Sequence, residues 1–248
     1  MSVSKLIATS VLSLSALLCA CQNPSVQDDQ SVNPNLKKDE PEFFSKSGAQ
    51  SCVGGALVTG LACLFVTDGD KLPACVAAAA AGCAVGITVN YYLDKVRADY
   101  SNLEDQLDAT KEQIQKSIAS TSSLKKSTED LIRDDSAEAD RIVKNIKDGK
   151  AKKSELDDKI KEMESNLAYM QKRLAQDKEI YNAHKGTQSA LMEGKGAKPN
   201  SISLAKKKNS EITKELANAD NELLELENAV IVYSQKTASY KKIQEALR

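Results

Sequence analysis

The sequence predicts an all-α protein: a disulfide-clasped helical hairpin of small residues that continues into long antiparallel coiled-coil helices. Three observations predict it. Charged residues make up 28% of the 248-residue chain, aromatics make up 4%, and Trp is absent. That composition suits thin helices burying a narrow seam better than a wide globular core. Apolar residues recur at alternating spacings of three and four through much of 91–248, the period of paired helices. Three of the five prolines lie before residue 42, which leaves long stretches free of helix breakers.

The first residues read as a leader. Lys5 gives a positive start, and the apolar run from Leu6 to Leu18 is short for a permanent bilayer span. It ends in Leu18-Cys19-Ala20-Cys21, with an aliphatic residue three before and a small residue one before the final cysteine. This resembles the lipobox of bacterial lipoproteins. The resemblance implies cleavage after Ala20 and a diacylglycerol thioether (palmitate or a similar acyl chain) on the Cys21 sulfur. Cys19 is a competing site, but Leu18 before it is a poor small-residue match. In that family an Asp after the acylated cysteine favours retention at the inner membrane. Gln22 stands there, which implies the outer membrane and a periplasmic location. Without residues 1–20, which hold Lys5 and no acid, 33 basic groups face 35 acidic ones, a balance of −2. Such a balance gives no reason to expect nucleic acid.

Residues 21–50 read as a lipidated, flexible linker, interrupted by Pro24, Pro34 and Pro41 and without helical period. Phe43-Phe44 within it suits a local hydrophobic plug, with docking on a groove or a membrane as the alternative.

From 51 to 90 the chain is apolar and small. Two stretches, Cys52–Val66 and Ala74–Val89, flank a turn at Thr67-Asp68-Gly69-Asp70-Lys71. Ala56 and Gly60, then Ala78, Gly82 and Gly86, recur every four residues and let two helix backbones approach closely. Cys52, Cys63, Cys75 and Cys83 all lie here, an even number that favours disulfides in an oxidising compartment. Of three possible pairings, a hairpin folded about Gly69 selects Cys63–Cys75 and Cys52–Cys83; four reduced core thiols are the alternative. No Cys-x-x-Cys spacing suggests a metal. The run Gly82-Cys83-Ala84-Val85-Gly86, followed by Tyr91-Tyr92-Leu93-Asp94-Lys95, resembles the end of glycine-zipper domains in envelope lipoproteins. That resemblance covers about residues 52–97 and implies membrane association or self-assembly of the hairpin.

Residues 91–248 read as coiled-coil helices with breaks near 149 and at 186–200. The hairpin's second helix is expected to run on unbroken through Leu93, Val96, Tyr100, Leu103, Leu107, Thr110 and Ile114. The seam weakens at Ser117–Ser123, the expected bend or wet spot. Gly149 is expected to fold the chain back into a three-helix bundle, a longer straight rod being the alternative, and Ser154-Glu155-Leu156-Asp157 could cap the next helix. That helix carries Leu156, Met163, Leu167, Met170 and Leu174. The last carries Ile212, Leu216, Leu223, Leu226 and Tyr233. A fold about residue 193 would set Leu223 beside Met163 and Ile212 beside Leu174.

His184, the only histidine, reads as an exposed residue near a helix end. Lys206-Lys207-Lys208 reads as a solvated face, and the many Asp and Glu as surface ion-pair partners. No nucleophile with a base, phosphate loop or dinucleotide fingerprint occurs. No catalysis, cofactor, metal or small-molecule substrate is therefore expected. The expected partners are membrane lipid, through acylated Cys21, and either another protein or a second copy of the chain. The leading expectation is a structural or adaptor lipoprotein of the cell envelope. A membrane-perturbing or pore-forming protein acting through 52–89 is the alternative.

Overall fold

The computed structural model describes residues 31–38 and 89–247, and every element in them is helical. Cys21, the four hairpin cysteines, the small residues Ala56, Gly60, Ala78, Gly82 and Gly86, and Phe43-Phe44 lie outside the described residues. The elements are a single 3-10 turn at Pro34–Lys37, then α1 (Val89–Asp99), α2 (Leu103–Lys147), α3 (Lys153–Ala190) and α4 (Ile202–Ala246). α3 runs back antiparallel to both α2 and α4, which also pack directly on each other, making a three-helix bundle.

The helix entering at Val89 does not run on unbroken. It stops at Asp99, and Asn102 opens α2, its side-chain oxygen accepting from the Asp105 amide at 2.9 Å. An Asn that satisfies an orphan amide favours starting a helix over continuing one. Tyr100, expected in the seam, is 38% exposed in the break. After it, α2 continues for 45 residues, roughly 67 Å, and passes without a break through Ser117–Ser123.

At the far end Gly149 makes the expected fold-back. Its φ is +70°, its amide donates to the Ile146 carbonyl at 3.1 Å, and the Lys150 amide donates to Asn145 at 2.8 Å. This is a Schellman closure, which needs a left-handed residue that only glycine adopts freely. The next helix starts at Lys153, with Glu155 accepting from the Lys152 amide at 3.0 Å.

Gly186 does not break α3, which passes through it to Ala190 and ends in one wider turn, Leu191–Lys195. The connection proper falls at 196–201 and is pinned from α2. Gln106, 1% exposed, accepts from the Ala197 amide at 2.9 Å and donates to the Tyr100 carbonyl at 2.9 Å. Glu104 accepts from the amides of Asn200 at 3.0 Å and Ser201 at 2.6 Å. The Ser201 bond, against the opposing effect of burial, holds the Glu104 carboxyl below its usual range. Ser201 then caps α4 by accepting from the Leu204 amide at 3.3 Å.

Because the connection centres near residue 200 rather than 193, the α3–α4 register differs from the expected one. Asn166 meets Tyr233, and Gln188 meets Asn209 and Thr213, a displacement of between three and four turns. α2 and α4 run parallel. Lys111 meets Glu211 at 2.7 Å, Gln115 meets Glu215 at 2.7 Å and Asp140 meets Tyr240 at 2.9 Å, each pair 100 residues apart.

The core has two parts. One contains Leu124, Leu131, Leu156, Met163, Leu167, Leu223, Leu226 and Tyr233, and the other contains Leu93, Val96, Leu103, Leu107, Ile114, Leu191, Ile212 and Leu216. Leu103, Leu107, Leu156, Met163, Leu167, Leu223, Leu226 and Tyr233 are all buried. Within the stretch read as a linker, residues 31–38 are docked on the bundle. Leu36 is fully buried in the first cluster, Asn33 donates its amide to Asn166 at 2.8 Å, and Ser127 donates to the Asn35 carbonyl at 3.0 Å.

Candidate functional site

The groups with the most perturbed chemistry sit inside the bundle, on heptad positions where apolar residues would ordinarily fall. α3 is covered by α1, α2, α4 and the 34–37 turn, so its polar residues have few routes to water. Each buried polar group then needs a partner from another element.

Lys159 on α3 is 6% exposed. Its ammonium contacts Asp135 at 2.7 Å, Glu138 at 2.9 Å and Glu162 at 3.2 Å. Asp135, 3% exposed, also accepts from the Tyr233 hydroxyl, and Asn166 donates to that same hydroxyl at 3.3 Å. With the Asn33–Asn166 bond, one network joins the 31–38 segment, α2, α3 and α4. Burial works to lower the Lys159 pKa, but the bond from Asp135 and the two further carboxylates overcome it and raise it well above the ordinary lysine value. Burial pushes the Tyr233 hydroxyl up, and the adjacent Asp135 charge pushes it further. Lys159 therefore stays an ammonium and Tyr233 a neutral phenol at any physiological pH. Neither is poised as base or nucleophile; the arrangement holds elements together. A cavity of about 470 Å³ opens beside this network between the Asn33–Lys38 segment and α2, lined by Lys126, Asp130, Asp134 and Glu138 among others.

A second polar layer separates the two apolar clusters. Arg173 donates to Ser120 at 3.1 Å, and Thr121 donates to Asp177 at 3.1 Å. Ser120 and Thr121 belong to the weak seam, and both are buried in an unbroken helix. Burial raises the Asp177 carboxyl to about 6, although Arg173 and the Thr121 bond act the other way. His184 is 2% exposed, not solvated as expected. Its Nε2 lies 3.2 Å from the Ser117 hydroxyl, and its ring packs against Tyr92 of α1 at a centroid separation of 4.6 Å. Burial lowers its pKa to about 4, so the imidazole is neutral at pH 7. The carboxylates Asp135, Asp177 and Glu104 likewise depart from the expected surface role, since each is less than 6% exposed.

Sequence reasoning missed these groups because heptad spacing marks apolar residues and passes over polar ones. One signal was available: Ser120, Thr121, Arg173 and Asp177 occupy inward phases of their helices. Among the described residues no cluster of His, Cys, Asp and Glu could hold a metal ion. Among the same residues no helix is long and apolar enough to cross a membrane. No protein-family model matches the chain, and neither a curated protein nor a solved structure matches it.

Proposed function

We propose that the protein is a lipid-anchored structural or adaptor component of the bacterial cell envelope. Cys21 would tether it to the outer membrane, with the helical bundle facing the periplasm for partner binding or self-assembly. Beside the Leu18–Cys21 motif, the observation that carries this reading is the docking of residues 31–38. With Leu36 buried, only twelve residue-to-residue steps lead from Cys21 to Asn33. Fully extended they reach about 43 Å at most, less than the length of α2. An acylated Cys21 would then hold the bundle against the bilayer on a short leash, which suits a scaffold better than a freely ranging domain.

Cys21→Ser tests it. The variant should leave the membrane fraction, and intact-mass analysis of the wild-type chain should show a diacylglyceryl group on residue 21. A Cys21→Ser protein that still pellets with membranes, or an unmodified wild-type N-terminus, would overturn the anchor. Release of vesicle contents by the unlipidated protein would replace this reading with the membrane-perturbing one.

A further inference from the structure

We propose that the basic face where α3 hands over to α4, from Lys185 to Lys214, docks on the anionic surface of a phospholipid bilayer. Met192 and Ile202 press among the headgroups there. The chain is nearly neutral as a whole, with a net charge of −1, but its charges are unevenly placed. Residues 185–214 hold seven lysines and two glutamates, with no Asp and no Arg. Folding gathers them at one end of the bundle. The Gln188 bonds to Asn209 and Thr213 fix the antiparallel register, which sets Lys185 level with Lys214 and Met192 level with Lys206 and Lys207. Lys195 closes the wide turn after α3, and Lys198 lies in the connection itself.

Two features separate this face from an ordinary solvated one. The first is that its lysines lack partners. Elsewhere Lys125, Lys159, Lys178 and Lys241 each meet a carboxylate of another helix. At this end Lys208 takes Asp108 and Lys111 takes Glu211. Lys185, Lys195, Lys198, Lys206, Lys207 and Lys214 meet no carboxylate among the described residues. The nearby acids of α2 are already engaged: Glu104 by the amides of Asn200 and Ser201, Asp105 by Asn102, and Asp108 by Lys208. Exposed Glu193 on the face and Asp99 at the end of α1 do not balance six lysines. The second feature is apolar surface left open among the charges. Ile202 is 67% exposed, more than any other large apolar residue described, with Leu204 at 43% and Met192 at 39%. Lysines set beside open aliphatic residues are the pattern of a membrane-facing surface.

The chemistry of the face identifies the occupant. Protein interfaces favour Arg and aromatic side chains and are poor in Lys. Single-stranded nucleic acid is held by aromatic faces on which bases stack. Between 185 and 214 there is neither an Arg nor an aromatic residue. Lysine is a flexible point charge, which suits a diffuse layer of phosphates better than a shaped site. Each lysine near such a layer strengthens binding about fivefold. The proposed tether also reaches. The 31–38 segment docks at Asn166, about 40 Å along α3 from Met192, within the roughly 43 Å open to the chain between Cys21 and Asn33. Docking deepens the proposed function and takes from it only the presence of a bilayer. Alone the contact is weak, so the Cys21→Ser protein still leaves the membrane fraction on dilution. The lipid anchor supplies the local concentration that the face needs.

The test floats the full chain carrying Cys21→Ser with concentrated vesicles, so that no attached lipid drives binding. The vesicles are phosphatidylcholine alone or with one-third phosphatidylglycerol, at about 0.05 M and 0.5 M salt. Partition onto the anionic vesicles should exceed that onto the neutral ones at least tenfold at low salt, and the excess should vanish at high salt. Lys195→Glu/Lys198→Glu/Lys206→Glu/Lys207→Glu, at four exposed positions, should keep the helicity and melting temperature. It should weaken partition onto anionic vesicles by about a hundredfold or more. Ile202→Ser should weaken it about fivefold. No binding to anionic vesicles would overturn the proposal. So would binding that is equal on neutral vesicles or indifferent to the four glutamates, the result expected if residues 1–20 or 52–88 hold the protein. Capture on polyglutamate as strong as on vesicles, and unchanged by Ile202→Ser, would mean an acidic protein partner and would overturn it equally.

Discussion

Tyr233 on α4 donates its hydroxyl to Asp135 on α2, so two parallel helices distant in sequence share one buried carboxylate. Lys159 of α3 holds the other oxygen of that carboxylate at 2.7 Å. The three long helices therefore meet at a single charge, and the consequences are measurable.

Lys159→Met removes the cation and leaves Asp135 buried beside two further carboxylates. Breaking one partner of a buried pair costs about 3–5 kcal/mol. Urea unfolding should show a loss of that size. Lys159→Met/Asp135→Asn should recover at least half of it, since the orphaned charge is then gone.

Tyr233→Phe deletes the hydroxyl that bridges Asp135 and Asn166 without changing the ring packing. A hydrogen bond to a charged group contributes about 1.5–3 kcal/mol, and the loss should fall in that range. An unchanged unfolding midpoint would mean that the bridge contributes nothing.

His184 and Asp177 make opposing contributions to stability against pH. The His184 imidazole takes its proton near 6.5 when unfolded but only near 4 when folded. Between those values the unfolded chain binds more protons, so acidification destabilises. The Asp177 carboxyl keeps its proton up to about 6 when folded, against 3.8 unfolded, so there acidification stabilises. The two windows overlap between pH 4 and 6 and offset each other. Relative to wild type, Asp177→Asn should lose about 2–3 kcal/mol on going from pH 6.5 to 4. His184→Gln should gain a similar amount over the same interval. Parallel pH profiles for all three proteins would refute this.

Leu36→Ser should undock residues 31–38 rather than open the bundle. The loss of global stability is then capped by the free energy of docking, and a local probe reads it better. Trypsin cleavage after Lys37 and Lys38 should accelerate at least tenfold, while the helical signal and the cleavage rate within α4 stay the same.

Gly196 lies where a Cβ would come within 2.9 Å of Leu103 Cδ1 and 3.0 Å of Gln106 Oε1. Gly196→Ala should therefore cost about 1–3 kcal/mol through overpacking of the α3–α4 connection. Gly149→Ala meets no neighbouring atom, but its φ of +70° should make it lose about 1–2 kcal/mol from backbone strain alone. Thermal unfolding of the two variants separates crowding from conformation.

The helices, the turn at Gly149 and the apolar seams were legible because each rests on local spacing. Leu107, Met163 and Leu226 announce their burial through neighbours three and four away. The break at Tyr100–Asn102 was hidden because the apolar period passes straight across it, and only the Asn102 cap marks it. Gly186 misled in the opposite direction, since a lone glycine inside a well-packed helix costs only about 1 kcal/mol. The α3–α4 register depends on where the connection is centred, and Gln106 and Glu104 of a third helix decide that. The burial of His184 and Asp177 was illegible for a related reason: their partners on other helices, Ser117 and Tyr92 for His184 and Thr121 for Asp177, are supplied by folding and not by sequence neighbours.

The layer of Ser120, Thr121, Arg173 and Asp177 also answers a difficulty inherent in any repeating helix. Apolar heptads are interchangeable, so α3 could slip by seven residues along its neighbours and still bury similar area. A slip one way would set Gln113 and Ile114 in place of the two hydroxyls that hold Arg173 and Asp177, and a slip the other way would offer Ser127 and Thr128 but move Lys159 from Asp135 to Ile142. The chain therefore carries two alignment marks, and only one vertical setting of the three rods matches both.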